Sequence, residues 1–221
     1  MIPERWARFT AALHNPPSLT STDEGRRNEA KEYIEKVLPV MSPSSKVLLL
    51  GCGDGYEIEM LQVFGIDNVT GVTNNLEEAK KCRRSVIVAD VHELPFDDGR
   101  FDVVISKETL EHFLSPFIAL WEINRVSKMG ARFVHYIPTG AYKQREWYHL
   151  NCVPDYVWVD LFRKTGWKVE RISHDIQQIR YEGRKVAEFS DDFQVELYDL
   201  EALTASLYED RVPLQPTRET E

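Results

Sequence analysis

Residues 46–56, KVLLLGCGDGY, hold the feature that most constrains the fold. A continuous apolar run of strand length, KVLLL (46–50), stops at Gly51, Gly53 and Gly55. A strand without polar alternation is buried on both faces, which puts it inside a parallel sheet covered by helices. Alternating glycines let the backbone take positive φ and approach a ligand closely. The following residues, 56–64, carry Ile58, Leu61 and Phe64 at helical spacing. In a doubly wound sheet, ligands sit beyond the C-terminal ends of the strands, where a loop of this kind lies. A dinucleotide loop needs G-x-G-x-x-G to seat a pyrophosphate on the helix N-terminus. Here the glycines run G-x-G-x-G and Tyr56 follows, which suits a ligand without a pyrophosphate.

The same alternation continues along the chain. Residues 23–38 have Ala30, Ile34, Val37 and Leu38 spaced as one face of an amphipathic helix, closed by Pro39. NVTGV (68–72) reads as a second strand, and NLEEAKKC (75–82) as a helix in which Asn75 and Glu78 have capping-box spacing. SVIVAD (85–90), FDVVIS (101–106) and ARFVHYIP (131–138) are further strands, the last preceded by a helix around 115–127. A helix over 154–165 ends at Gly166, and WKVERIS and RKVAEFS follow as strands with Tyr181–Arg184 as a turn between them. Strands alternating with helices imply an α/β fold with a mostly parallel sheet and helices on both faces.

Composition narrows the function classes. A chain of 221 residues with 43% hydrophobic content forms one full domain with short additions. A net charge of −9 argues against nucleic acid as a partner. No apolar run reaches the length of a membrane span, and MIPERWARFTAALHNPP lacks the basic start and apolar block of a secretion signal. The cysteines, Cys52, Cys82 and Cys152, are odd in number and match neither a disulfide framework nor a zinc site. A cytoplasmic protein is expected. Six histidines form no HxxxH or HxH pair, so no metal site is expected. Ile2, Trp6, Phe9 and Leu13 lie at helical spacing, giving residues 1–22 as a helix packed on the domain or a lid over it. Residues 191–221 are acidic with a stripe of Leu197, Leu200, Leu203 and Leu207, read as a helix on its own domain or a homodimer contact, followed by a tail. The main domain is expected over 23–190.

Taken together, VLLLGCGDG, VTGVTNN (69–75), VADVHELPFDDGRFDVVIS (88–106), ETLEHF (108–113) and LWEINRVSKMGARFVHYIP (120–138) resemble the successive motifs of class I S-adenosylmethionine-dependent methyltransferases of the small-molecule type. The resemblance covers about residues 25–175. It implies a Rossmann-like, doubly wound, seven-stranded sheet with a final antiparallel strand, and S-adenosyl-L-methionine as cofactor. It also implies a cofactor site on Gly51, Cys52, Gly53, Thr73, Asn74, Asp90, Val91 and Ser106. Asp90 corresponds to the residue that takes the adenine amino group, Val91 to a backbone contact on the ring, and Ser106 to a carbonyl near the amino acid tail.

Two positions depart from the family pattern. Leu49 stands where an acid usually precedes the first glycine, and Thr73 stands where Asp or Glu usually takes both ribose hydroxyls. A neutral hydroxyl in place of that carboxylate weakens the grip by about tenfold. Thr73→Asp is expected to tighten it. The departures also open an alternative, a non-catalytic binding or interaction protein on the same fold.

Methyl transfer to a hydroxyl or amine needs an aligned acceptor and a base. The candidates are His112 after the fourth strand, His149 in the loop REWYHLNCVPDY (145–156) beside Trp147 and Tyr148, and Glu108. The expected activity is methyl transfer to a small-molecule acceptor, with oxygen favoured.

Overall fold

The computed structural model describes residues 23–82, 84, 86–138, 149–174 and 178–188. The segments expected at 1–22 and 191–221, and Trp147 and Tyr148, lie outside these residues. The order is α1 (Asp23–Val37), a 3-10 turn (Leu38–Val40), β1 (Val47–Leu50), α2 (Tyr56–Val63), β2 (Val69–Thr73), α3 (Leu76–Lys81), β3 (Val86–Val88) and β4 (Phe101–Lys107). A 3-10 turn (Leu110–His112), α4 (Pro116–Val126), β5 (Ser127–Pro138), α5 (Asp155–Lys164), β6 (Trp167–His174) and β7 (Gln178–Lys185) complete it.

The strands form one seven-stranded sheet in the order β3-β2-β1-β4-β5-β7-β6. β7 runs antiparallel between β5 and β6, and the remaining pairings are parallel. Strand order reverses at β1, which pairs with β2 on one side and β4 on the other. The glycine loop leaves β1 at this switch point.

Alternation along β1 divides the core between the two faces. Leu48 and Leu50 pack with Ala119, Leu120 and Ile123 of α4 and Trp158 and Phe162 of α5. Val47 and Leu49 pack with Tyr33, Ile34 and Val37 of α1 and Ile58 and Leu61 of α2. All four β1 side chains are at most 2% exposed. Each contributes about 1.5–3 kcal/mol by burial, which explains the unbroken apolar run. Leu49 therefore faces the α1–α2 core, and its departure from the family pattern concerns packing on that face.

Two local readings are corrected. The last strand is Gln178–Lys185, with the expected turn at Tyr181–Arg184 lying inside it. Gly183 suggested a turn but serves close approach within the sheet. A Cβ there would lie 2.0 Å from the Lys168 carbonyl oxygen and 2.7 Å from Phe133 Cε1. The second correction is at α3. Asn75 Oδ1 accepts from the Glu77 and Glu78 amides at 3.0 and 3.2 Å, so Asn75 is the N-cap. The return bond of a capping box is made by Thr73, whose Oγ1 accepts from the Asn75 amide at 3.1 Å.

No helix among the described residues is long and apolar enough to cross a membrane.

Candidate active site

A cleft of about 240 Å³ opens at the C-terminal edge of the sheet. Its walls come from the ends of β1 and β2, the first turn of α3, the loop after β3 and the turn after β4: Gly51, Gly53, Thr73, Glu78, Asp90 and His112 represent them in order. Asn74, Val91, Glu108, Thr109 and Phe113 line it as well.

The glycine loop is held from behind. Gly51 and Cys52 donate their amides to the Val72 carbonyl at 2.9 and 3.1 Å, which ties the loop to β2. Asp54 accepts from Arg26 of α1 at 2.5 Å, and the Arg26 and Arg27 guanidiniums lie 5.3 and 5.6 Å from the Tyr56 ring centre. The aspartate between the glycines is thus an anchor to α1. Gly51, Gly53 and Gly55 take φ of 67°, 49° and 86°. A Cβ at Gly51 would meet Thr109 Oγ1 at 2.4 Å, whereas one at Gly53 would meet no heavy atom within 4 Å. Gly53 therefore presents bare backbone to open space in the cleft.

The wall formed by the end of β2 and the first turn of α3 has an unexpected carboxylate. Because Thr73 closes the α3 cap, Glu78 turns toward the cleft. Burial and the charge of Asp54 raise the Glu78 pKa above its ordinary 4.5, against opposing effects of Lys81 and a hydrogen bond with Thr73. Thr73 and Glu78 together form a hydroxyl–carboxylate pair on this wall.

Asp90 follows β3 and is set by His92. Its Oδ1 accepts from the His92 amide at 2.8 Å and from His92 Nδ1 at 2.5 Å. The Ser115 amide donates to His92 Nε2 at 3.1 Å, which fixes the proton on Nδ1. Burial pushes the Asp90 carboxyl up, but the two bonds from His92 outweigh it and hold the group below the usual aspartate range. Both of these contacts fall on Oδ1, and Asp90 lines the cleft.

The opposite wall carries the base candidates. Glu108 is the one non-glycine residue with positive φ, 49°, among the described residues, and its carboxylate accepts from Gln178 Nε2. That backbone conformation costs about 1–2 kcal/mol. His112 also lines the cleft. His149 is absent from the lining residues but lies against His112, with ring centres 4.8 Å apart at 66°. Glu111 is 1% exposed, with Oε1 at 3.5 Å from His112 Nε2 and 4.0 Å from His149 Nε2. Asn151 laces the two segments together: its amide donates to the Glu111 carbonyl at 2.9 Å, and its Nδ2 to the Phe113 carbonyl at 2.6 Å.

Of the residues expected at the site, Gly51, Gly53, Thr73, Asn74, Asp90, Val91, Glu108 and His112 meet in this cleft. Cys52 and Ser106 do not line it. Cys52 is 1% exposed and packs over Gly71, and burial pushes its thiol pKa up. The Ser106 hydroxyl lies 2.8 Å from Nδ1 of the buried His135. Glu78 was missed because its helical position explains an acid by capping alone. The Glu111–His149 contact was missed because it joins separate segments.

Residues 48–135 match the family model described as a methyltransferase domain. Among curated relatives, cycloartenol-C-24-methyltransferase 1 of Oryza sativa subsp. japonica is 32% identical over 124 residues, covering 48% of this chain and 36% of that protein. The fatty-acid O-methyltransferase of Mycolicibacterium smegmatis is 28% identical over 137 residues, covering 58% of this chain and 50% of that protein. The chain spans half or less of the length of these relatives. A solved S-adenosylmethionine-dependent methyltransferase from Archaeoglobus fulgidus superposes with TM-score 0.62 at 19% identity, covering 73% of this chain and 96% of that one. The chain has the class I S-adenosylmethionine-dependent methyltransferase fold, and the cofactor that goes with this fold and domain is S-adenosyl-L-methionine.

Proposed function

We propose that the chain binds S-adenosyl-L-methionine in the switch-point cleft and transfers its methyl group to an oxygen of a small-molecule acceptor. The observation that carries this reading is the donor and acceptor set around the cleft. Bare backbone at Gly53, the Thr73–Glu78 pair, Asp90 and His112 surround one opening of about 240 Å³.

The residues fit the cofactor. Gly53 leaves space where any side chain would intrude. Glu78 offers two oxygens to a ribose diol, with Thr73 beside it. Asp90 Oδ2 offers an acceptor to the adenine amino group, and Val91 and Phe113 supply apolar surface for the ring. When bound, the cofactor supplies a methyl carbon already activated by a positive sulfur. The chain's own work is then to align the acceptor and remove its proton. His112 is assigned as the proton acceptor at the cleft wall, with Glu111 and His149 behind it to stabilise the imidazolium. Glu108, held by Gln178, is assigned to acceptor or cofactor positioning.

The relatives named above methylate carbon in one case and oxygen in the other, by their names. Oxygen is favoured here because a histidine–carboxylate pair at the cleft suits removal of a hydroxyl proton. Isothermal titration with S-adenosyl-L-methionine, followed by mass-spectrometric screening of hydroxylated acceptors, tests the reading. No detectable heat at millimolar cofactor would sink it.

A further inference from the structure

We propose that Glu111, His112 and His149 form a site for a divalent transition-metal ion of the zinc class, opening onto the cleft. These three side chains bring one ligand-type atom each to within 4.8 Å of one another, with the Glu111 oxygen 3.5 and 4.0 Å from the two histidine Nε2 atoms. Ligands bound at about 2.0–2.2 Å to one ion lie roughly 3.0–3.5 Å apart. Side-chain rotations of about 1 Å at the atoms therefore close the set around an ion. The imidazoles meet edge to face at 66°, an arrangement in which both nitrogen edges can converge on the carboxylate.

Further observations favour an ion here. The Glu111 side chain is 2% exposed, and those of His149 and His112 are 7% and 13% exposed, so the set is shielded and only its His112 side reaches the cleft. A shielded carboxylate between two imidazoles gains most from a cation. The backbones that carry the ligands are laced by Asn151 to the Glu111 and Phe113 carbonyls. The donor set is therefore ordered by contacts that do not involve the ion. Two imidazoles and one carboxylate suit zinc, iron, cobalt, nickel or manganese; calcium and magnesium prefer all-oxygen sets. Three protein ligands leave coordination positions open on the cleft side. Resting on the function proposed above, an ion here would lower the pKa of an acceptor hydroxyl bound to it, as it does for bound water, and would take over the role assigned to His112, whose nitrogen then holds the ion.

The site was hidden in the sequence because His149 arrives from the loop before α5, and no close histidine pair marks it.

The test is titration of the chelator-dialysed full chain with Zn²⁺ against a chromophoric competitor, and with Co²⁺ by visible absorption. One saturable equivalent is expected, weakened at least tenfold in His112→Gln and in His149→Gln and unchanged in His174→Gln. Glu111→Gln is expected to weaken it too, with circular dichroism confirming the fold; the histidine variants decide the matter if that variant is unstable. No saturable binding, or binding retained in both histidine variants, overturns the proposal. The readout needs no methyl transfer, so a chain that binds Zn²⁺ but no S-adenosyl-L-methionine keeps the metal site and loses the function above, and the converse result separates them equally.

Discussion

Thr73 Oγ1 accepts the backbone amide of Asn75 at 3.1 Å, making the bond that a capping-box glutamate would otherwise make. This releases Glu78 from the cap and leaves its carboxylate on the cleft wall. The chain lacks the usual acid at the end of β2 and carries one a helical turn further on.

Glu78→Gln is expected to weaken S-adenosyl-L-methionine binding about tenfold, the difference between a charge-assisted and a neutral hydrogen bond. Thr73→Asp, simple in sequence terms, would set a second carboxylate beside Glu78, so it is expected to leave binding unchanged or weaker. The double variant Thr73→Asp/Glu78→Gln should recover affinity. Titration calorimetry on the three variants checks this; tightening by Thr73→Asp alone would refute the role of Glu78. The raised Glu78 pKa adds a pH signature. In the proposed site the ionised form would accept the ribose hydroxyls, so affinity should be full near neutral pH and fall as pH drops through a value above 4.5. That fall should be absent in Glu78→Gln.

Asp90 and His92 make a second prediction. Removing the His92 ring deprives Asp90 Oδ1 of one bond and the Ser115 amide of its acceptor. His92→Ala is expected to cost about 1–3 kcal/mol of stability and to weaken cofactor binding severalfold. Asp90→Asn should weaken binding more than His92→Ala while costing less stability. Denaturant melts paired with calorimetry distinguish the two; equal effects on binding would contradict an adenine-facing Asp90.

The glycines divide the same way. Gly51→Ala drives a Cβ to within 2.4 Å of Thr109 Oγ1, a hydroxyl already bonded to the Lys107 carbonyl at 2.9 Å. Overpacking and the left-handed backbone together cost about 2–5 kcal/mol. Gly53→Ala meets no protein atom and costs about 1–2 kcal/mol from backbone conformation alone. Its methyl group enters the cleft, so the expected loss is mainly in cofactor affinity. A Gly53→Ala protein that binds as tightly as the parent would place the cofactor elsewhere.

His135 governs acid stability. It is buried against the stacked rings of Phe133 and Phe162, and burial lowers its pKa to about 3. In the unfolded chain it titrates at about 6.5. The folded value is depressed, so its contribution is fully present above pH 6.5 and is lost as pH falls toward 3, at up to about 1.4 kcal/mol per pH unit. Between pH 7 and 5 urea denaturation should register a loss of about 2 kcal/mol from this group. His135→Phe should flatten that slope, even though leaving Ser106 without its partner lowers stability overall. An unchanged slope would remove His135 from the account.

Much of the architecture was legible because its signals are local. The apolar run of β1 required a sheet with two covered faces, and Leu48 with Leu50 and Val47 with Leu49 serve those faces in turn. That the glycine loop and Asp90 border one cleft was legible because each stands in a contiguous motif at the end of a strand. β7 was misplaced because Gly183 has the same local signature whether it turns the chain or admits a neighbouring carbonyl. Glu78 was masked by a sufficient local explanation, the helix cap. The Glu111–His112–His149 group depends on Asn151 joining the 3-10 turn to a distant segment. Pairings of that kind leave no periodicity to read.

The loop between β1 and α2 faces two ways. Gly51 and Gly53 border the cleft, while Asp54 and Tyr56 grip Arg26 and Arg27 of α1. Anchorage and cleft surface are thus written in different residues of one short segment. Such a division lets a lineage retune what the cleft accepts, through Thr73 or Glu78, without disturbing how the loop is held. It also lets α1 drift by compensating exchanges with Asp54 and Tyr56 while the ligand surface stays the same. Leu49 stands on the side of that division that packs against α1, and Thr73 on the side that borders the cleft.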